Sequence, residues 1–346
     1  MRNRTKFNAS LAIASSIATT LAGAAHAQSA PDITIYGFVR AEAFYDLDFD
    51  QGDISNTAGL DAAEETDGTF NTSVRVSRLG VRATSQTDIG EIGGQLEYDL
   101  FGSNGTAELR LRHANVTVGG FLVGQFWTNF MPIGQYPTTA DFNGPVGVTF
   151  ARVPQLRYSG GSGPLKYSAS IEEAVWDSDD PALTAAVEYG TDLFTVRGAV
   201  IGGTVLDAVD SEEDVYGVTL SASANPWQGG SLSGIYTVGE GIGDLLIGGG
   251  SALADDGDAN EIEGYVLQIR QDIGSKFNVG VAYGYEEYDD PGAENLTELE
   301  TIHVNAFYKP VDNLNLGIEY IIGERTDGAG DTLEAERIGV SATFTF

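Results

Sequence analysis

Cysteine is absent from this chain of 346 residues. Disulfides, thiol nucleophiles and thiolate metal sites are therefore excluded. Histidine is nearly absent as well, with three in the whole chain, which leaves little for imidazole-based catalysis. Basic residues are scarce: 18 Lys and Arg stand against 50 Asp and Glu, for a formal net charge of −32. Such acidity argues against nucleic acid as a partner, since its phosphates would be repelled. Also missing is any apolar run of the roughly 20 residues that a transmembrane helix requires.

What the chain does have is alternation. From Ile33 to Phe346 the segments switch between apolar and polar residue by residue, the period of a strand with one greasy and one wet face. The last segment is the plainest. Ile338, Val340, Ala342, Phe344 and Phe346 share one face, and Gly339, Ser341, Thr343 and Thr345 the other. Short turns, among them Asp88-Ile89-Gly90, Gly119-Gly120 and Gly190-Thr191-Asp192, alternate with longer acidic connections. Seven such turns separate eight hairpins. The pattern predicts an all-β fold, a sixteen-stranded antiparallel transmembrane β-barrel whose closure leaves no unpaired edge. A soluble sandwich or propeller would need a packed core, yet the polar face here is Gly, Ser, Asn, Thr, Glu and Arg throughout.

Residues 1–27 read as a cleaved export signal. Arg2, Arg4 and Lys6 precede an apolar stretch over 11–22, and Ala25-His26-Ala27 is a small-x-small site, so cleavage is expected between Ala27 and Gln28. The barrel domain then occupies 28–346 with a net charge of −32 − 3 = −35. Most of the acid falls in connections, notably 47–69 and 239–263. The spacing predicts a bulge near Ser77, where Val74 and Val76 share one parity and Leu79 and Val81 the other. It predicts a short sixth strand beginning around Pro154 and an in-folded, uncharged-rich third connection over 128–149, broken by Pro132, Pro137 and Pro145. Tyrosines collect at strand ends, as interfacial girdles do.

Arg40, Arg78, Arg82, Arg110, Arg112 and Arg157 fall on the polar parity, so they are expected to line the lumen. A charge facing lipid at mid-membrane would cost about 2–4 kcal/mol, which agrees with that placement. They read either as wall braces paired with Glu42, Glu97 and Asp99 or as an anion-attracting stripe facing a constriction loop that carries Asp141, Phe142 and Asn143. Loop carboxylates in bulk electrolyte are screened over about 8 Å, whereas charges in a confined aperture are not. Anion preference is expected to prevail at physiological salt. No hydrolase motif surrounds His113 or His303. Asp256-Gly257-Asp258-Ala259-Asn260 imitates the start of a calcium loop, but Glu261 replaces the required glycine. No cofactor and no specific metal site are expected; loose divalent bridging of acidic loops to lipopolysaccharide is the favoured cation role.

Ile33-Thr34-Ile35-Tyr36-Gly37 and Ser77-Arg78-Leu79-Gly80-Val81-Arg82 resemble the opening strands of the trimeric general porins. Phe70-Asn71-Thr72, Leu109-Arg110-Leu111-Arg112-His113-Ala114, Val123-Gly124-Gln125 with Trp127, and Asp141-Phe142-Asn143-Gly144-Pro145-Val146-Gly147 resemble the core of the DcaP-like porin family. The likeness covers residues 33–158. It implies a homotrimer in the outer membrane of a Gram-negative bacterium, passing small anions such as dicarboxylates, with the third loop folded into the pore. Phe346 would then be the signal read by the barrel-assembly machinery. Two departures are the lack of an N-terminal heptad segment and a second connection, 102–106, too short to latch a neighbour. The alternatives are a non-selective or cation-preferring porin, and a barrel whose outer loops serve adhesion or catalysis.

Overall fold

Alternation of apolar and polar residues satisfies two solvents at once, lipid outside and water inside, only if every backbone group is paired between strands. A computed structural model shows how this chain does so. It describes residues 30–102, 107–207, 211–254, 257–289 and 296–346. The expected signal, with its cleavage site at Ala27 and Gln28, lies outside them, as do parts of the second connection and of the calcium-like stretch.

The strands are β1 (Asp32–Asp46), β2 (Thr69–Ser73), β3 (Arg78–Thr87), β4 (Gly90–Asp99), β5 (Arg110–Val118), β6 (Phe121–Trp127), β7 (Arg152–Ser162), β8 (Leu165–Glu172) and β9 (Ala182–Gly190). They continue as β10 (Phe194–Leu206), β11 (Glu212–Ala224), β12 (Gly230–Glu240), β13 (Glu261–Ile273), β14 (Phe277–Tyr288), β15 (Leu296–Val311), β16 (Leu314–Asp327) and β17 (Thr332–Thr345). Neighbours pair antiparallel all the way round, and β1 closes on β17 from Phe38↔Thr345 to Asp46↔Arg337. β2 and β3 both pair with β1, so they are two halves of one barrel strand and the wall is sixteen-stranded. The bulge expected near Ser77 is a full interruption over residues 74–77. It turns Val76 inward to 2 % exposure while Val74 stays outward at 49 %. Strand β7 is longer than expected and starts two residues before Pro154.

The lipid face is read directly from exposure: Ile33, Ile35 and Val39 of β1 point out, while Glu42 and Asp46 are buried inside. Aromatic pairs mark both rims. Phe121–Tyr158, Tyr189–Phe194 and Phe277–Tyr308 pack together beside the short turns, with centroids 4.9, 6.1 and 4.6 Å apart. Tyr265 packs on Tyr283 and Tyr285 near the long connections. The C-terminal Phe346 exchanges two 3.1 Å backbone hydrogen bonds with Gly37. Gly37 has φ +155°, and a Cβ there would meet the Arg78 carbonyl at 2.2 Å, so the seam needs glycine.

Two connections expected to stand in bulk solvent instead fold inward. Segment 241–260 buries Ile242, Leu245 and Leu246 against Phe130, Val153 and Trp176. Segment 47–68 packs Phe49 and Leu60 on Ala335. Apolar side chains thus pack the lumen beside β9–β14 at the level of the long connections.

Candidate functional site: the constriction

The third long connection, residues 128–151, crosses the lumen and is tied to the wall at many points. Arg157 and Arg197 donate to the carbonyls of Trp127 and Asn129 where the crossing begins. Midway, Thr138 N–H donates to Gln268 (3.1 Å), and Asn305 donates to the Thr138 carbonyl (3.2 Å). Farther along, Asp141 N–H donates to Glu319 at 2.6 Å and Gly147 N–H to Glu286 at 2.6 Å. Gly147 (φ +86°) lies so close to β13 and β14 that a Cβ would meet the Tyr285 and Tyr265 carbonyls at 2.7 and 2.8 Å. The crossing is buttressed from above by segment 241–260, through Phe150 N–H to the Leu245 carbonyl (2.6 Å) and Ile247 N–H to the Val148 carbonyl (2.9 Å).

Asp141, Phe142 and Asn143 form the tip. The Asp141 carboxylate accepts from the N–H groups of Ser55, Asn143 and Gly144 at 3.1, 2.9 and 3.0 Å. Asn143 Nδ2 returns a bond to the Ser55 carbonyl (3.2 Å), which joins the tip to the first connection. Phe142 packs on Phe101, with tilted rings 4.6 Å apart. The face left between tip and wall is a cavity of about 360 Å³, lined by Arg40, Arg78, Arg112, Trp127, Phe150 and Asp141 among others.

Strand register brings the arginines to one level. Arg78 faces Asp99 across β3–β4, Asp99 faces Arg110 across β4–β5, and Trp127 faces Arg152 across β6–β7. Arg40 lies 2.6 Å from Glu42 and also donates to the Ala140 carbonyl of the crossing. Arg78 lies 3.7 Å from Glu97 and over the Phe38 ring at 5.1 Å. Arg110 holds Asp99 with two bonds, 3.0 and 2.7 Å. Arg112 is caged, 1 % exposed, with 2.8 Å bonds to both Glu97 and Asp99. Arg82 stands apart below this level, exposed, over the Tyr36 ring at 4.3 Å. Arg157 sits on the other side of the crossing, 3.7 Å from Glu172.

Arg152 escapes a parity reading, which would put it with Pro154 and Leu156 on the lipid side. Emerging from the crossing at the strand start, it lies instead over Trp127 and Phe150, both lining the cavity, at 5.1 Å each. Among the described residues it has no carboxylate within ion-pair distance, and its Nη1 is buried without a partner. A bulge explains the neighbouring crowding. Glu97 pairs His113 while Tyr98 pairs Leu111, so Arg112 is the extra residue and both Arg112 and His113 turn inward.

Carboxylates expected in bulk solvent are partly tied. Asp53 bonds Arg75 at 2.8 and 3.0 Å, whereas Asp61, Glu64, Glu65 and Asp67 are exposed. The histidines are wall residues. His113 packs on Phe126 and Trp127, and His303, wholly buried, lies 3.5 Å from Glu319 beneath the crossing. Among the described residues no cluster of His, Asp or Glu is arranged to hold a metal ion.

A model of the DcaP outer membrane protein family matches residues 3–162. The chain is similar to the crystal structure of the outer membrane channel DcaP of Acinetobacter baumannii, with TM-score 0.85 and 25 % identity over 92 % of this chain and 98 % of that one. It shares its fold with an anion-selective porin from Comamonas acidovorans (TM-score 0.65, 16 % identity, 91 % and 100 % covered). OmpT of Vibrio cholerae is similar in the same way (TM-score 0.63, 15 % identity, 92 % and 98 % covered). No curated protein matches the chain.

Proposed function

We propose that this outer-membrane barrel is a DcaP-like porin, a passive channel for small hydrophilic solutes which favours small anions, dicarboxylates among them. The observation that carries this reading is the charge facing the 360 Å³ cavity: Arg40, Arg78 and Arg112 line it against one carboxylate, Asp141. That carboxylate already accepts three backbone N–H bonds. Glu42, Glu97 and Asp99 are each held by arginine, while Arg152 has no carboxylate partner among the described residues. Confinement strengthens this local field, and the exposed rim acids are screened within about 8 Å at physiological salt. The Comamonas relative is itself anion-selective, and OmpT of Vibrio cholerae has a trimer form. A homotrimer suits the outward face of β1, where the small side chains of Ala41 and Ala43 would let a second barrel approach closely. Purified protein in a planar bilayer should give stepwise ohmic conductance; a silent bilayer containing correctly folded barrel would refute the channel.

A further inference from the structure

The crossing divides the open side of the lumen in two. On its other face, toward the short turns, lies a second cavity of about 240 Å³. Met131 and Ile133 line both cavities, so this part of the crossing is the partition between them. The second cavity is walled by β7–β10, whose registers Ser159↔Ser168, Lys166↔Glu188 and Arg197↔Glu188 set its polar side chains at one level.

Three cations line it, Arg157, Lys166 and Arg197. Their counter-charges are Glu188, 2.8 Å from Lys166, and Glu172, 3.7 Å from Arg157. Glu172 is largely occupied elsewhere: it accepts from Thr128 Oγ1 (2.5 Å), Asn129 N–H (2.7 Å) and Ser170 Oγ (2.6 Å). Arg197 donates only to the backbone carbonyls of Asn129 and Phe130 and has no carboxylate within ion-pair distance among the described residues. Three cations against two carboxylates leave a balance of 3 − 2 = +1 in a confined, poorly screened volume. An unmet donor stands at the same place. Asn129, 3 % exposed, receives Ser168 Oγ at its Oδ1 (2.6 Å), and its Nδ2 is buried with no partner. A buried donor left unsatisfied costs roughly 1–3 kcal/mol.

We propose that this cavity is a second anion-binding station, so that a small carboxylate passes from the Arg40–Arg78–Arg112 face to the Arg157–Lys166–Arg197 face around the Met131–Ile133 partition. The proposal rests on the anion-preferring reading above and deepens it. Two stations of like charge let an entering anion repel the one ahead, so each can bind without trapping its occupant.

Arg157 and Arg197 also hold the start of the crossing, so their loss alone would not separate binding from bracing. Among the described residues Lys166 makes no hydrogen bond or ion pair with the crossing, and its side chain is 71 % exposed. The test is current block by succinate, added in turn to each side of oriented single channels. Lys166→Met should weaken block from the turn side by about threefold, the size expected for one exposed charge, with Lys166→Arg restoring it. Arg197→Gln should act on the same side, and Arg78→Ala chiefly on the loop side. If Lys166→Met and Arg197→Gln leave both blocks unchanged while Arg78→Ala weakens both, the second station is refuted and the anion reading survives. If succinate blocks the wild-type channel from neither side, both fall.

Discussion

Replacing Arg112 with Met should destabilise the barrel far more than replacing Arg152 with Met, although both guanidinium groups lie over the same Trp127 ring, at 5.3 and 5.1 Å. Arg112 is 1 % exposed and bonds Glu97 and Asp99, themselves 5 % and 1 % exposed. Breaking a buried ion pair by removing one partner costs about 3–5 kcal/mol, because the remaining charge keeps its desolvation penalty. Here the low end applies. Asp99 retains Arg110, and Glu97 retains Arg78 at 3.7 Å and the Tyr36 hydroxyl at 3.0 Å. Arg152 loses two ring contacts worth about 0.5–1 kcal/mol each, offset by the removal of a charge with no counter-ion, so its net cost should stay near or below about 1 kcal/mol. Urea unfolding of the barrel in lipid vesicles, followed by tryptophan fluorescence, reads both. Equal losses, or a larger loss for Arg152→Met, would show that the carboxylate cage does not organise this wall.

Gly147→Val should lift the crossing from β13–β14, since even a Cβ would sit 2.7 Å from the Tyr285 carbonyl; single-channel conductance should rise while the far-ultraviolet spectrum stays that of a barrel. Native mass spectrometry in mild detergent should report a trimer, and a monomer mass would defeat that assembly.

The strands were legible because lipid and water impose a two-residue period on every spanning segment. Residues such as Ile338 and Arg78 announce their faces by parity alone. Parity fails where the backbone gains a residue. The interruption at 74–77 turns Val76 inward, and the extra residue at Arg112 brings His113 into the lumen. Arg152 was hidden because it opens its strand directly beside the crossing, where its side chain lies over Trp127 and Phe150 although it shares the parity of Pro154 and Leu156. The inward folding of 241–260 was masked by the acidity of the segment as a whole. Its apolar run Leu245-Leu246-Ile247 was the available signal, and it now packs against the crossing. That Asp53 would pair with Arg75, while Asp50, Asp61, Glu64, Glu65 and Asp67 stay exposed, depends on contacts between distant segments that no local pattern encodes.

The central claim is that the arginine wall, not the acidic rim, sets selectivity. The most direct measurement is the zero-current potential of the channel in a KCl gradient at physiological ionic strength. Wild type should favour chloride despite the net negative charge. Joint replacement of Arg78 and Arg152 with Ala should shift the potential toward potassium, whereas neutralising Glu64, Glu65 and Asp67 should leave it unchanged except at low salt, where the Debye length grows to about 30 Å. A cation-selective wild type, with the double arginine variant unaltered and the rim variant shifted, would contradict the account.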